Sequence, residues 1–486
     1  MRRMARYGAI VFVIALGVAD GLRGQEMKMP KQEQSHHMEM PAVTAEYPRM
    51  GRAQERAHGA LVTLEQVQKI AADSNPTLRQ AEAEIRATKA RQQQAGLYPN
   101  PTVGYTGDEI RGGSVGGGKQ GFFLQQAVVT GGKLGLSREV FGKEVKLAEI
   151  EAEEQKIRVQ SAVKMAFLRV LAAQELLEAR RDLAKIAQDA AETQRRLMNT
   201  GQADESEVLG AEVEAQRMRM AARMQENTLR EEWRSLSAVI GQPELPLATV
   251  AGNLETDWPE LNEDQAVETI AKESPAVRIA DAAEARAQSV LARAKREPVP
   301  DVLIRGGLEY NNETLGSVPW AKGWEGIAEL AVQIPLFNRN QGNTAAARAD
   351  IDRAGQEKTR IALTLRERAA TAADQYANAR LMAVEYRDEM LPRAKRAYSL
   401  MVDKYGQMLA SYPRVLDTQR KLYELQIEYI SALESVWTNG IALQGFLLTD
   451  GLEAPARPSE VDRPIRETNV PMPERTMSPR ETLRNP

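Results

Sequence analysis

Two groups of residues in this 486-residue sequence have the types and spacing to do chemistry. One is a charged set in two short stretches: Asp204, Glu205 and Glu207 in the first, Arg414 and Asp417 in the second. Carboxylates gathered in one place attract cations and raise their local concentration, and a guanidinium among them can latch a carboxylate. The other group is Met27, Met29, His36, His37, Met38 and Met40. Thioethers and imidazoles of this kind suit Cu(I) or Ag(I), with His36, His37, Met38 and Met40 the most compact candidate metal ligands. Each group also has a plainer reading. Acidic side chains favour the first turn of any helix, and a Met-rich unstructured segment needs no metal.

The composition removes most catalysis. Cysteine is absent, so thiolate chemistry, disulfides and Cys-based metal sites are excluded. The three histidines, His36, His37 and His58, all precede the periodic part of the chain. Glycines 112, 113 and 116–118 are not followed by Gly-Lys-Ser/Thr and a helix, so they form no phosphate cradle. The sequence is therefore not that of an enzyme and calls for no cofactor. Its near-balanced net charge of −3 gives no reason to expect nucleic acid as a partner.

Helical hairpins must position the charged sets. Lys133 to Met198 contains no Pro, and its last Gly is Gly142. Ala162, Met165, Arg169, Ala172, Leu176, Ala179, Leu183, Ile186, Ala190, Thr193 and Leu197 step by three and four, a heptad seam. About 65 residues of helix span roughly 100 Å. Gly201 breaks this helix, and Asp204 or Ser206 caps a return helix. In the second half a heptad through Leu391, Ala394, Tyr398, Met401 and Tyr405 ends at Gly406, and a helix returns from about Pro413. Pro392 interrupts it and must kink or locally open the helix. The two halves are a duplication: the prolines at 76, 99 and 101 recur at 275, 298 and 300, about 199 residues on.

Between the helices, short stretches alternate with period two. Val302, Ile304, Leu308 and Tyr310 interleave with Arg305 and Glu309, and Ala328, Leu330 and Val332 interleave with Glu329 and Gln333. This is the pattern of tilted membrane-spanning strands. Eight of the 24 aromatic residues fall within 98–130 and 298–337, as interfacial belts would require. Four strands cannot close a barrel, and open edges are not tolerated in lipid. Two chains would supply eight strands and three would supply twelve. An interior lined by Arg305 and Glu329 favours three.

The domain organisation follows. Residues 1–24 read as a secretory signal peptide, with basic residues followed by an apolar run from Tyr7 to Ala19. Residues 25–60 are expected to be a disordered Met/His-containing segment. Residues 61–260 form the first repeat, with strands at about 102–110 and 120–129 and a hairpin tip at about 199–207. Residues 261–452 form the second, with strands at about 302–310 and 326–336 and a tip at about 405–417. A Pro-rich disordered tail occupies 453–486.

With these elements in place the chain resembles the TolC-family outer membrane efflux proteins. The likeness rests on Leu97-Tyr98-Pro99-Asn100-Pro101, Gly131-Gly132-Lys133, Gly201 with Val208-Leu209, and Tyr405-Gly406 with Val415-Leu416-Asp417. The run Ile334-Pro335-Leu336-Phe337-Asn338-Arg339-Asn340-Gln341-Gly342 is similar to the CzcC-like heavy-metal efflux branch. The resemblance implies a mainly α protein with a small β part. It implies a homotrimer whose long hairpins form a periplasmic α-barrel continued by a 12-stranded outer membrane β-barrel, four strands per chain. It implies outer membrane lipid, a periplasmic membrane fusion protein and an inner-membrane resistance-nodulation-division pump as partners. The expected function is the exit duct of a tripartite system exporting heavy-metal cations (Cu/Ag or Co/Zn/Cd). A duct for drugs or secreted polypeptides, and a soluble periplasmic coiled-coil adaptor, are the alternatives. Relatives carry Asp-Val-Leu-Asp where this chain has Arg414-Val415-Leu416-Asp417, so Arg414 and Asp417 suggest a latch closing a pore gate, beside Asp204, Glu205 and Glu207. Gly201 and Gly406 lie where partner hairpins dock in the family, and each also reads as the breaker its turn requires.

Overall fold

The computed structural model describes residues 47–55, 61–108, 118–312 and 322–454. The expected signal peptide, His36, His37, Met38 and Met40, and nearly all of the C-terminal tail lie outside these residues. The first repeat runs α2 (Leu64–Ser74), α3 (Pro76–Ala95), β1 (Thr102–Asp108), β2 (Lys119–Val128), α4 (Lys133–Asn199) and α5 (Glu205–Val239). It is preceded by a short α1 (Arg52–Glu55). The second runs α6 (Glu263–Glu273), α7 (Pro275–Arg296), β3 (Val302–Asn311), β4 (Gly323–Val332), α8 (Gln341–Glu385), α9 (Leu391–Gly406) and α10 (Tyr412–Gln444). Among the described residues no helix is long and apolar enough to cross a membrane.

Local chemistry sets matching boundaries in both repeats. Asn75 accepts the Thr77 N–H at 2.9 Å and precedes Pro76 at the first turn of α3; Ser274 caps α7 ahead of Pro275 in the same way. A side-chain acceptor at the cap and a proline that has no N–H to satisfy are the favoured helix start. The two longest helices, α4 and α8, each begin after a left-handed residue: Gly132 (φ 69°) and Asn340 (φ 58°). Asparagine is among the few residues other than glycine that tolerate this backbone, so the second repeat makes the same corner with a side chain.

Pro392 opens its helix as expected. Tyr386–Met390 forms a π-helical turn between α8 and α9, immediately before the proline. Proline has no N–H for the residue four earlier and its ring crowds that carbonyl, so the ladder widens by one residue.

The strands form one antiparallel sheet in the order β1-β2-β3-β4, with one edge each of β1 and β4 unpaired among the described residues. β4 lies earlier than the expected 326–336. Its last paired residue, Val332, faces Val302, the first residue of β3, so Ile334 and Leu336 have no partner strand among the described residues. The register sorts the sheet into two faces. One carries Val103, Tyr105, Phe122, Leu124, Ile304, Leu308, Tyr310, Trp324, Leu330 and Val332, most of them exposed. Edge-to-face pairs Tyr105–Phe122 and Tyr310–Trp324, at 5.7 and 5.5 Å, lie on it. The other carries Asp108, Lys119, Gln125, Arg305, Glu309, Asn311, Glu325 and Glu329.

The helices follow the strands in order. α4 packs on α3 of its own repeat and on α7 of the next, and α7 packs on α8. Flanked by α3 and α7 over its first part and packed on α5 and α10 as well, α4 buries residues around most of its circumference, whereas α3 buries only Thr77, Ala81 and Thr88. The expected seam is therefore only part of the α4 interface. Val163, Ala166, Val170, Ala173 and Leu177, off that seam, are buried as well. The α4–α7 contact is fixed by Arg286, which is 2% exposed and donates twice to Glu144 at 2.9 and 2.7 Å, and by Arg293 donating to Ser137 at 2.9 Å. Lys133 pairs with Asp301 at 2.7 Å and donates to the Val299 carbonyl at 3.0 Å, tying the β2–α4 corner to the start of β3.

Residues 47–55, expected to be part of a disordered segment, are instead a packed strap. Gly51 N–H donates to Glu175 of α4, Arg52 pairs with Asp182 of α4, and Gln426 of α10 donates to the Met50 sulfur at 3.4 Å. Tyr47 meets Tyr398 of α9 edge-on at 5.9 Å. The segment has no apolar periodicity because its contacts are specific polar ones made to distant elements, which leave no pattern in the local sequence.

Candidate functional site: hairpin tips and the polar face of the sheet

The first tip is closed by a left-handed glycine. Gly201 has φ 70°, its N–H donates to the Met198 carbonyl at 2.9 Å, and Gln202 N–H donates to Leu197 at 2.8 Å. This pair of bonds satisfies carbonyls the helix end leaves open. Asp204 then caps α5: its Oδ1 accepts from Ser206 Oγ at 2.5 Å and from Glu207 N–H at 3.0 Å. The Ser206 hydroxyl first, and the Glu207 N–H second, hold its carboxyl below the usual aspartate range. Glu205 and Glu207 follow on the first turn, exposed.

The second tip solves the same problem differently. Gly406 is the last residue of α9 and keeps helical backbone; the left-handed residue is Met408, φ 59°. Met408 N–H donates to Tyr405 at 2.9 Å and Leu409 N–H to Lys404 at 2.8 Å. Gly406 is thus not the breaker this turn requires, and a Cβ there would meet nothing within 4 Å. Pro413 occupies the first turn of α10, and Arg414 is exposed. Asp417 does not pair with Arg414 within the chain. It accepts from Lys421 and Arg420, each at 2.9 Å, and these hold its carboxyl low, Lys421 foremost. Arg420 also lies 3.7 Å from Glu214 of α5, so it bridges the two hairpins. Between them runs a groove of about 350 Å³, with Leu183, Ile186 and Leu416 at its base and Glu214, Asp417 and Arg420 on its rim.

The tips therefore present Asp204, Glu205, Glu207 and Arg414 to solvent and engage Asp417 internally. Gly201 and Gly406 lie at corresponding ends of the two hairpins. No group of three or more His, Cys, Asp or Glu suited to a metal ion occurs among the described residues.

The polar face of the sheet is the other charged surface. Lys119 pairs with Glu325 at 2.9 Å, Arg305 lies 3.5 Å from Glu329, and the Arg305 guanidinium stacks on Phe123, 4.0 Å from the ring centre. Phe123 lies flat because its neighbours across the strands are Gly104 and Gly307; a Cβ on Gly104 would fall 2.4 Å from the ring. That Arg305 and Glu329 share one face of the sheet was legible from the alternation alone. Glu309 and Glu325 share that alternation, but their direct opposition depends on strand register.

Paired hairpins of great length, joined to a sheet with one apolar and one charged face, define an outer membrane channel of the TolC type. The fold is similar to that of a membrane protein from Pseudomonas aeruginosa, with a TM-score of 0.65 at 17% identity, covering 84% of this chain and 99% of that one. It is also similar to CusC, with a TM-score of 0.57 at 16% identity and coverage of 79% and 91%. In sequence the chain is 25% identical over 375 residues to the cobalt-zinc-cadmium resistance protein CzcC of Cupriavidus metallidurans, covering 76% of this chain and 86% of the relative. Residues 67–242 and 266–447, one segment per repeat, match the outer membrane efflux protein family, to which this chain belongs. It is an outer membrane efflux protein, and not an enzyme.

Proposed function

We propose that three copies close their sheets into a 12-stranded barrel and their helices into a periplasmic tube. The assembly is the exit duct of a tripartite efflux system that passes heavy-metal cations from periplasm to exterior. The observation that carries this is the coincidence of open ends. The sheet ends at β1 and β4, and the helical layer beneath it ends at α3 and α8, in the same order. Open strand edges cannot face lipid, so a neighbouring copy that pairs β4 with β1 must also bring α8 to α3. The apolar face then meets lipid and the charged face lines the pore. The CzcC likeness supports a metal cargo such as cobalt, zinc or cadmium. In this reading the partners are a resistance-nodulation-division pump and its membrane fusion protein.

In this reading Gly201 and Gly406 mark where fusion-protein hairpins dock. Asp204, Glu205, Glu207, Arg414 and Asp417 ring the periplasmic aperture, with Arg414 reaching a carboxylate of a neighbouring copy. His36, His37, Met38 and Met40 would add a Cu(I) or Ag(I) site ahead of the strap. The test is fractionation with metal challenge. A heat-modifiable oligomer in outer membranes, and sensitivity to cobalt, zinc, cadmium or copper when the gene is deleted, are expected. Release of the chain on osmotic shock would refute the duct; an outer membrane oligomer whose loss leaves metal tolerance unchanged would refute the cargo. Arg414→Ala or Asp417→Ala is expected to raise single-channel conductance, and unchanged conductance in both would remove the gate.

A further inference from the structure

The two charged surfaces differ in what their geometry costs. At the tips, acidic residues start a helix, where its dipole favours them. On the sheet, Glu309 and Glu325 are directly opposite each other on adjacent strands, where like charges repel. Glu325 is relieved by Lys119 at 2.9 Å and by the Asn311 amide at 2.6 Å. Glu309 has no such relief. It is only 7% exposed, its stem lies across Gly121, and it makes no hydrogen bond or ion pair with any described residue. Gly121 admits it, since a Cβ there would fall 2.6 Å from the Glu309 Cγ. Like charges set side by side repel, and a cation near them lowers that repulsion.

The pair lies near the far end of the sheet. The connections to the helices leave the strands at Thr102, Val128, Val302 and Val332, whereas Glu309 and Glu325 are one row of their face from the opposite rim, where Asp108, Lys119 and Asn311 align. Among the described residues of the polar face four carboxylates, Asp108, Glu309, Glu325 and Glu329, stand against two cations, Lys119 and Arg305.

We infer that Glu309, opposed to Glu325, is the cation-selecting element of the pore, acting on hydrated cations, divalent ones included, at the exit end of the barrel. The inference rests on the reading that three copies turn this face inward. Each copy would then place one such pair in a girdle around the exit. Carboxylates that are not gathered into a closed chelate hold a passing cation weakly, which selection without retention requires.

The full-length protein, purified as its oligomer and inserted in planar bilayers under a KCl gradient, provides the test through its reversal potential. Wild type is expected to prefer K⁺ over Cl⁻. Glu309→Gln, which keeps the shape and removes the repulsion, is expected to lower that preference by about twofold or more while the heat-modifiable oligomer persists. Glu244→Gln, exposed in the loop after α5 and outside both the sheet and the tips, is expected to retain it. Pores whose preference is unchanged in Glu309→Gln, or falls equally in Glu244→Gln, would overturn the inference and leave the duct intact. If wild type inserts no pore, the duct reading itself falls and this one with it.

Discussion

Glu175 controls how firmly the strap is held, and pH should reveal it. Its carboxylate belongs to α4, is almost fully buried, and accepts the Gly51 N–H through both oxygens at 3.0 Å. Burial is the main reason its pKa rises from 4.5 to about 7. The Gly51 N–H pulls it down, and the nearby carboxylates of Glu178 and Glu255 push it further up. A carboxyl whose folded pKa exceeds its unfolded one favours the protonated form. Its stabilisation is complete below about pH 4.5 and is lost as pH rises through about 7. The move from 4.5 to about 7 corresponds to about 3 kcal/mol, at roughly 1.4 kcal/mol per tenfold. Lifting the strap lets water reach the carboxylate, so ionisation favours release. Hydrogen exchange is the assay, corrected for intrinsic rates. Protection of residues 47–55 is expected to fall by up to about 100-fold between about pH 5 and about pH 8.5. Glu175→Gln keeps an acceptor and cannot ionise, so its profile is expected to be flat. A Gln variant that retains the wild-type pH dependence would refute the reasoning.

The two tip glycines are expected to behave oppositely. Gly201→Ala forces a side chain into φ 70° and costs about 1–2 kcal/mol locally, whereas Gly406→Ala extends a helix into open space and gains up to about 1 kcal/mol. Limited proteolysis of the tips distinguishes them. If Gly406→Ala nonetheless abolishes efflux with the oligomer intact, the glycine is there for docking. Arg286→Ala strands Glu144 in the α4–α7 interface and is expected to cost about 3–5 kcal/mol in denaturant unfolding, most of it recovered when Glu144→Leu is added to Arg286→Met. Gly104→Val drives a side chain into the Phe123 ring and is expected to cost about 1–3 kcal/mol, seen as a lower temperature of oligomer dissociation on gels and restored by Phe123→Ala.

The architecture was legible where a repeating pattern carried it. The prolines at 76 and 275 each begin a helix, and Pro392 follows the π-turn its ring chemistry demands. Period-two alternation placed Arg305 and Glu329 on one face and Leu308 and Tyr310 on the other. What escaped was set by partners distant in sequence. Met408, not Gly406, turns the second tip, because the bond pattern of the helix end fixes the left-handed position two residues later. Asp417 is held by Arg420 and Lys421, three and four residues on and so on the same helix face, a local engagement that reading it as a gate residue did not anticipate. The opposition of Glu309 and Glu325 requires strand register, which alternation alone does not supply.

The strap has a consequence for the order in which the molecule comes together. Its residues are made before either repeat, yet Gly51 and Arg52 find their acceptors 124 and 130 residues later, and Gln426 reaches Met50 from 376 residues away. Until α4 and α10 lie side by side, residues 47–55 have nothing to bind. The earliest segment of the domain to be synthesised is therefore among the last to be fixed, and it closes over the two repeats like a seal. A chain with a misplaced second hairpin would leave the strap loose and open to proteases, so attachment of these nine residues reports that both halves have folded onto each other.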